Sequence, residues 1–236
     1  MNSVPSPSDV SVEPGSTPVL QRKPLGSQIA TALRRDILFG RLTPGTRLSQ
    51  QELCERFGTS RMPVRDALRE LVYSGLLEQD GGRHAIVASL NRSDLLDSFT
   101  IEGMLSAMAA RKATINATQE DLDQLESMHE RMCAAHAAGE SRTMANLNWD
   151  FHRYINKLSR SKKLLSAIQT VSLEVPRDYL IEFPQWAAKS NIEHGQIIDA
   201  MKKRDVEKVD RLMLDHLVES GVGLTDYLER EGLRLD

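Results

Sequence analysis

Apolar positions in the first part of the chain form short helical stripes broken by turn residues. In GSQIATALRRDILF, residues 26–39, Ile29, Leu33 and Ile37 recur four apart with Ala30 beside them, the spacing of one buried helix face. The stripe stops before Gly40, and LTPGTRL reads as a Pro-Gly turn. Ser49-Gln50-Gln51-Glu52 has the form of a capping box, in which the serine takes free N–H groups of the first turn and the glutamate reaches back. It predicts a short helix with Leu53 and Phe57 inward and Gly58 as its C-terminal cap. Ser60 is placed to cap the next helix, which tolerates Pro63 in its first turn, buries Val64, Leu68, Leu71 and Val72, and ends at Gly75. LLEQDGGRHAIVAS then predicts two short strands joined at Asp80-Gly81-Gly82, a hairpin signal.

From Asp94 onward the pattern is almost wholly helical. Helices are expected near 93–114, 119–138, 141–158, 161–181, 186–203 and 205–229, with starts at Ser93, Thr118 and Ser141. Short connections favour an antiparallel bundle. The expected fold is mainly α: a winged helix-turn-helix domain over residues 21–92, then an all-α antiparallel bundle over 93–236. Residues 1–20, rich in Ser, Pro and Val without a period, read as a disordered tail.

Composition narrows the class. The chain has 236 residues, 40% hydrophobic and 27% charged, an ordinary soluble balance. It holds no apolar run of the roughly 20 residues a membrane helix needs, and no basic-then-apolar leader. Cys54 and Cys133 are far apart and in no CxxC pair, so a cytoplasmic protein with reduced thiols is expected. The net charge of −3 hides an asymmetry: residues 21–92 carry 12 bases and 7 acids, residues 93–236 carry 18 and 24. A basic front and an acidic back predict two domains with different partners.

Chemistry falls in two constellations. In GTSRMPVR, Arg61 and Arg65 project from one side of a helix start, and Arg69 continues that side. Such a helix end enters a major groove, where a guanidinium grips a guanine edge or a phosphate through two N–H groups. Arg83, at the hairpin tip, could reach a minor groove. The bland alternative is a solvated basic face paired to Asp66 and Glu70. The second constellation is three histidines on three predicted helices. His152 lies beside the stripe of Leu147, Phe151 and Ile155; His194 shares a face with Ile197, Ile198 and Met201; His216 follows Val209, Leu212 and Met213. Each points inward. Three separately satisfied core histidines are one reading; a divalent ion bound by all three, Zn or Ni by imidazole preference, is the other. Asn148, one turn before His152, could add a carbonyl oxygen. His84 is on the wing, and His129 and His136, seven apart on one helix, read as exposed.

The stretch LRRDILFGRLTPGTRLSQQELCERFGTSRMPVRDALRELVYSGLLEQ resembles the DNA-binding domain of the GntR family of bacterial transcription regulators. The matching pieces are the PGTRL turn, the SRMPVR helix start from Ser60 to Arg65, and ALRELVYSGLLE running into the wing. The chain beyond the wing is similar to the all-helical effector domain of the FadR-like (FCD) subgroup. The resemblance implies that Arg61 and Arg65 contact bases and phosphates, with Met62 where a small polar residue often stands. It implies that Gly82 touches the minor groove, that Gln51 replaces a DNA-contacting arginine, and that Arg35 meets the backbone. It also implies a metal site of Asn148, His152, His194 and His216, the asparagine standing where aspartate is common. Glu102 and Ser106 fall where relatives carry an R-x-x-x-E pattern facing the effector pocket. An arginine there would suit an organic acid and Glu102 does not, so the expected effector is an organic acid bound by the metal itself or another metabolite. The expected partners are palindromic operator DNA, that effector and a second copy of the chain. Two other classes stand beside this one. A metal-dependent enzyme would use the three-histidine site with Glu102 as the one nameable base, and an interaction module would use a structural metal. Both leave the arginines of the basic domain without a purpose.

Overall fold

The computed structural model describes residues 24–80, 84–173, 184–233 and 235. The expected tail at 1–20, the hairpin turn at Gly81-Gly82 and Arg83 lie outside them.

In the N-terminal domain α1 (Leu25–Leu38), α2 (Gln50–Phe57) and α3 (Arg61–Tyr73) enclose a core of Ile29, Leu33, Ile37, Leu53, Val64, Leu68 and Leu71. Gly26 lets α1 approach α3, since an added Cβ would lie 3.2 Å from the carbonyl oxygen of Pro63. Buried Arg34 of α1 reaches Glu70 of α3 at 3.1 Å, and Asp36 is held by Arg56 of α2. Gly58 caps α2 at φ +59°, in the left-handed region glycine adopts freely. The serines differ from expectation. Ser49 and Ser60 occupy N-cap positions with extended backbone, yet neither side chain makes a capping hydrogen bond. Position alone therefore marks these helix starts.

The wing is a three-stranded antiparallel sheet in the order β1 (Arg47–Leu48), β3 (His84–Val87), β2 (Leu77–Asp80). Gln79 pairs with Ala85 and Leu48 also pairs with Ala85, so β3 is central. β1 falls where the sequence pattern predicts only a turn. Two residues are too few to show a period of two.

The C-terminal domain comprises α4 (Arg92–Asn116), α5 (Gln119–Ala137), α6 (Ser141–Leu158), α7 (Lys162–Val171), α8 (Pro184–Lys202) and α9 (Val206–Arg230). α4 and α9 lie antiparallel along their lengths. Small residues allow this: a Cβ on Gly221 would fall 2.7 Å from the Phe99 ring, and one on Gly103 would fall 3.1 Å from Leu214. Arg92 closes one end of the pair on Asp226 and Glu229, at 2.6 and 2.8 Å. At the other end Arg204 donates to the carbonyls of Thr114 and Ala117, groups a helix C-terminus leaves free.

Thr118 and Asp121 form the one complete capping box among the described helices. α4 starts earlier than expected, with the Asn91 side chain accepting from the Ser93 N–H at 2.7 Å, and Ser141 is simply the first residue of α6 after Glu140. The helix expected over 161–181 ends at Val171, where Ser172 turns to extended backbone at ψ 125°. The rest of that expectation, from residue 174, lies outside the described residues. His129 and His136 are half-buried rather than exposed, and His129 Nε2 lies 2.8 Å from the Asn191 carbonyl, tying α5 to α8. No helix among the described residues is long and apolar enough to cross a membrane.

Candidate DNA-reading face and histidine centre

α3 is two-sided. Val64, Ala67, Leu68 and Leu71 are buried, while Arg61, Met62, Arg65 and Arg69 stand in solvent. Among the described residues no carboxylate pairs with Arg61, Arg65 or Arg69. Glu70, a candidate surface partner for them by sequence, is turned inward to Arg34. Unpaired guanidiniums on one helix face form a positive stripe, matched to a phosphate backbone. Ser60, just before Arg61, and Gln51 on α2 are exposed, with Gln51 donating to Glu55 at 3.2 Å. Arg35 is half-buried on α1. Gly82 and Arg83 lie outside the described residues.

The bundle brings the three histidines together. His152 comes from α6, His194 from α8 and His216 from α9. Their Nε2 atoms form a nearly equilateral triangle: 3.2 Å from His152 to His194, 3.3 Å from His194 to His216, and 3.2 Å from His216 to His152. Three nitrogens held at about 2.0–2.1 Å by one tetrahedral ion would be about 3.3–3.4 Å apart, so the triangle has the size of a metal's donor set. His194 and His216 are buried, and Phe151 packs on the His194 ring at 4.5 Å between centroids. Burial, and then the neighbouring His216, lowers the His152 pKa to about 3. Burial first, then His216 and His152, holds His194 well below the ordinary histidine value. Both rings are therefore neutral near pH 7, the form that ligates a metal.

Asn148 is buried one turn before His152 on α6, and its Oδ1 has no hydrogen-bond partner. A stranded carbonyl oxygen costs on the order of 1–3 kcal/mol, which a cation beside it would offset. The donor set fits a divalent ion: three imidazoles and one amide oxygen. Ser190 adds a hydroxyl 3.4 Å from His194 Nε2. Behind the triangle, His216 Nδ1 donates to Glu193 Oε2 at 2.7 Å, a pairing the helical pattern did not reveal. Glu102 is half-buried on α4 and Ser106 is buried one turn later.

Comparison with known proteins bears on both faces. Residues 25–87 match the bacterial regulatory proteins of the gntR family, and residues 97–219 match the FCD domain. The HTH-type transcriptional repressor RspR of Escherichia coli is 28% identical over 84% of this chain and 87% of its own length. The Glc operon transcriptional activator of the same species is 28% identical over 91% of this chain and 94% of its own. Among solved structures, E. coli McbR/YncC superposes with a TM-score of 0.66 at 26% identity, over 86% of this chain and 98% of that one.

Proposed function

The chain belongs to the bacterial regulators that join a GntR-type winged helix-turn-helix to an FCD domain, and from that premise we propose how it works. It is a DNA-binding transcription regulator. Our reading is that it binds a palindromic operator in the cytoplasm as a homodimer. A small molecule reaching the histidine centre then changes the placement of the two α3 helices. Repression is the sign we assign, as in the name of RspR. The observation that carries the reading is the unpaired row of Arg61, Arg65 and Arg69 along the exposed side of α3.

Asn148, His152, His194 and His216 would hold a divalent ion, zinc or nickel by ligand preference. Bound there, it would offer a Lewis-acidic position to an anionic or carbonyl group of the effector. The four side chains of this chain supply no charge of their own, so a dication keeps its full attraction for such a group. Glu102 and Ser106 stand as candidate effector contacts on α4. The enzyme reading lacks support: the relatives that match over most of the chain are regulators.

The test is fluorescence anisotropy of the purified chain on its own upstream intergenic duplex, at two salt concentrations, against a scrambled duplex. Tight, selective and steeply salt-dependent binding is expected, because neutralised phosphates release counterions. Equal affinity for the scrambled duplex would remove this DNA as the operator and leave the arginines as a general phosphate-binding face.

A further inference from the structure

We infer that Glu193 is a positioning residue for the histidine centre, holding His216 in the tautomer that presents its bare Nε2 to His152 and His194. The inference rests on the metal reading of the three histidines. An imidazole that ligates a metal is neutral and carries one N–H, and a carboxylate can only accept. At 2.7 Å from Glu193 Oε2, the His216 proton therefore sits on Nδ1, and the lone pair of Nε2 faces the triangle. The His216 side chain is 1% exposed, so water does not compete with Glu193 for its Nδ1. His194 offers the contrast: its Nδ1 is buried without a hydrogen-bond partner.

The placement is economical. On α8, Glu193 and His194 are adjacent, so one helix turn supplies both an inner donor and the outer acceptor for a donor on α9. Lys189, one turn earlier, lies 3.7 Å from Glu193 Oε1 and donates to Glu219 of α9 at 2.9 Å. The Glu193 side chain is 22% exposed, so its charge is partly shielded from water and acts on the ring beside it. That charge matters more here because Asn148 brings none. A carboxylate behind a ligating histidine raises its basicity and fixes its angle, and losing such a group costs typically about 10–100-fold in metal affinity.

The experiment uses the full chain, stripped with a chelator and titrated with Zn²⁺ against a chromophoric competitor, then with Co²⁺ to read the ligand-field spectrum. Variants are Glu193→Ala, Glu193→Gln, Lys189→Ala and the double variant His194→Ala/His216→Ala. The expected result is about 10–100-fold weaker Zn²⁺ binding for Glu193→Ala. A smaller loss is expected for Glu193→Gln, whose amide oxygen still accepts, and a changed Co²⁺ spectrum for Glu193→Ala. Lys189→Ala should stay near wild type, and the double variant should bind nothing. A purely structural tie between α8 and α9 would lower the melting temperature of the stripped protein and leave affinity and spectrum alone. If both Glu193 variants bind within about twofold of wild type while the double variant does not bind, the positioning role is overturned and the metal reading survives. Should Glu193→Ala fail to fold, Glu193→Gln decides. Wild-type protein that takes up neither ion overturns the metal reading and this inference together. A Lys189→Ala loss equal to that of Glu193→Ala would also overturn it, moving the effect to the surface tie.

Discussion

At the scale of residues, the chemistry of both faces depends on which side chains lack an internal partner. Arg65 is exposed at the start of α3 without a carboxylate among the described residues, whereas buried Arg34 is taken up by Glu70. Arg65→Ala is therefore expected to weaken operator binding by roughly 1–3 kcal/mol if it makes a good base contact, read by anisotropy at fixed salt. Unchanged affinity would take Arg65 out of the reading head. The three histidines were legible because each falls on the apolar stripe of its own helix, and a titratable group on such a stripe stands out. Glu193 was not legible. It flanks a ligand, and adjacent residues on a helix point about 100° apart, so the pattern assigns it away from the centre. Only the approach of α9 brings His216 Nδ1 to it.

At the scale of elements, α4 shows a face that the bundle leaves uncovered. Its buried side carries Ser106, Ala107, Ala110 and Ala113. On another side Ile101, Met104 and Met108 at successive turns, and Ile115 two turns further on, are 48–69% exposed. A row of large apolar side chains along a helix is poorly suited to water and well suited to the same row on a second copy. Replacing Met104 and Met108 together by Glu is expected to yield a monomer by light scattering and to abolish selective binding to a two-half-site duplex. A dimer that persists would place the interface elsewhere. Helix existence was legible from periodicity throughout, but ends were less so. Thr118 caps its helix and Ser141 begins α6 as predicted, while Ser49 and Ser60 hold N-cap positions without capping, because a serine before a helix can equally face water.

At the scale of the whole molecule, Leu233 connects the two domains. Leu233, just past α9, is partly buried against the core and lines an apolar groove together with Ile37, Leu42, Val87 and Leu90 of the DNA-binding domain. The helix that leads to it carries His216 and is pinned to the start of α4 by Arg92. Ending the chain after Gly232 is expected to leave each domain folded but to loosen their docking, seen as faster proteolysis between β3 and α4 and a separate, earlier melting step. A single unchanged transition would mean that Leu233 adds nothing to the docking. Periodicity, turn residues and charge were enough to determine a basic winged helix-turn-helix ahead of an acidic helical bundle, since these are local properties written in neighbouring positions. The resemblance of its motifs placed the chain among regulators. Tertiary structure alone decided the triangle of Nε2 atoms, the carboxylate behind His216, the capture of Glu70 by Arg34 and the seat of Leu233. Each joins residues far apart in the chain, and the distance between two helices depends on how their whole faces pack rather than on any spacing within one of them.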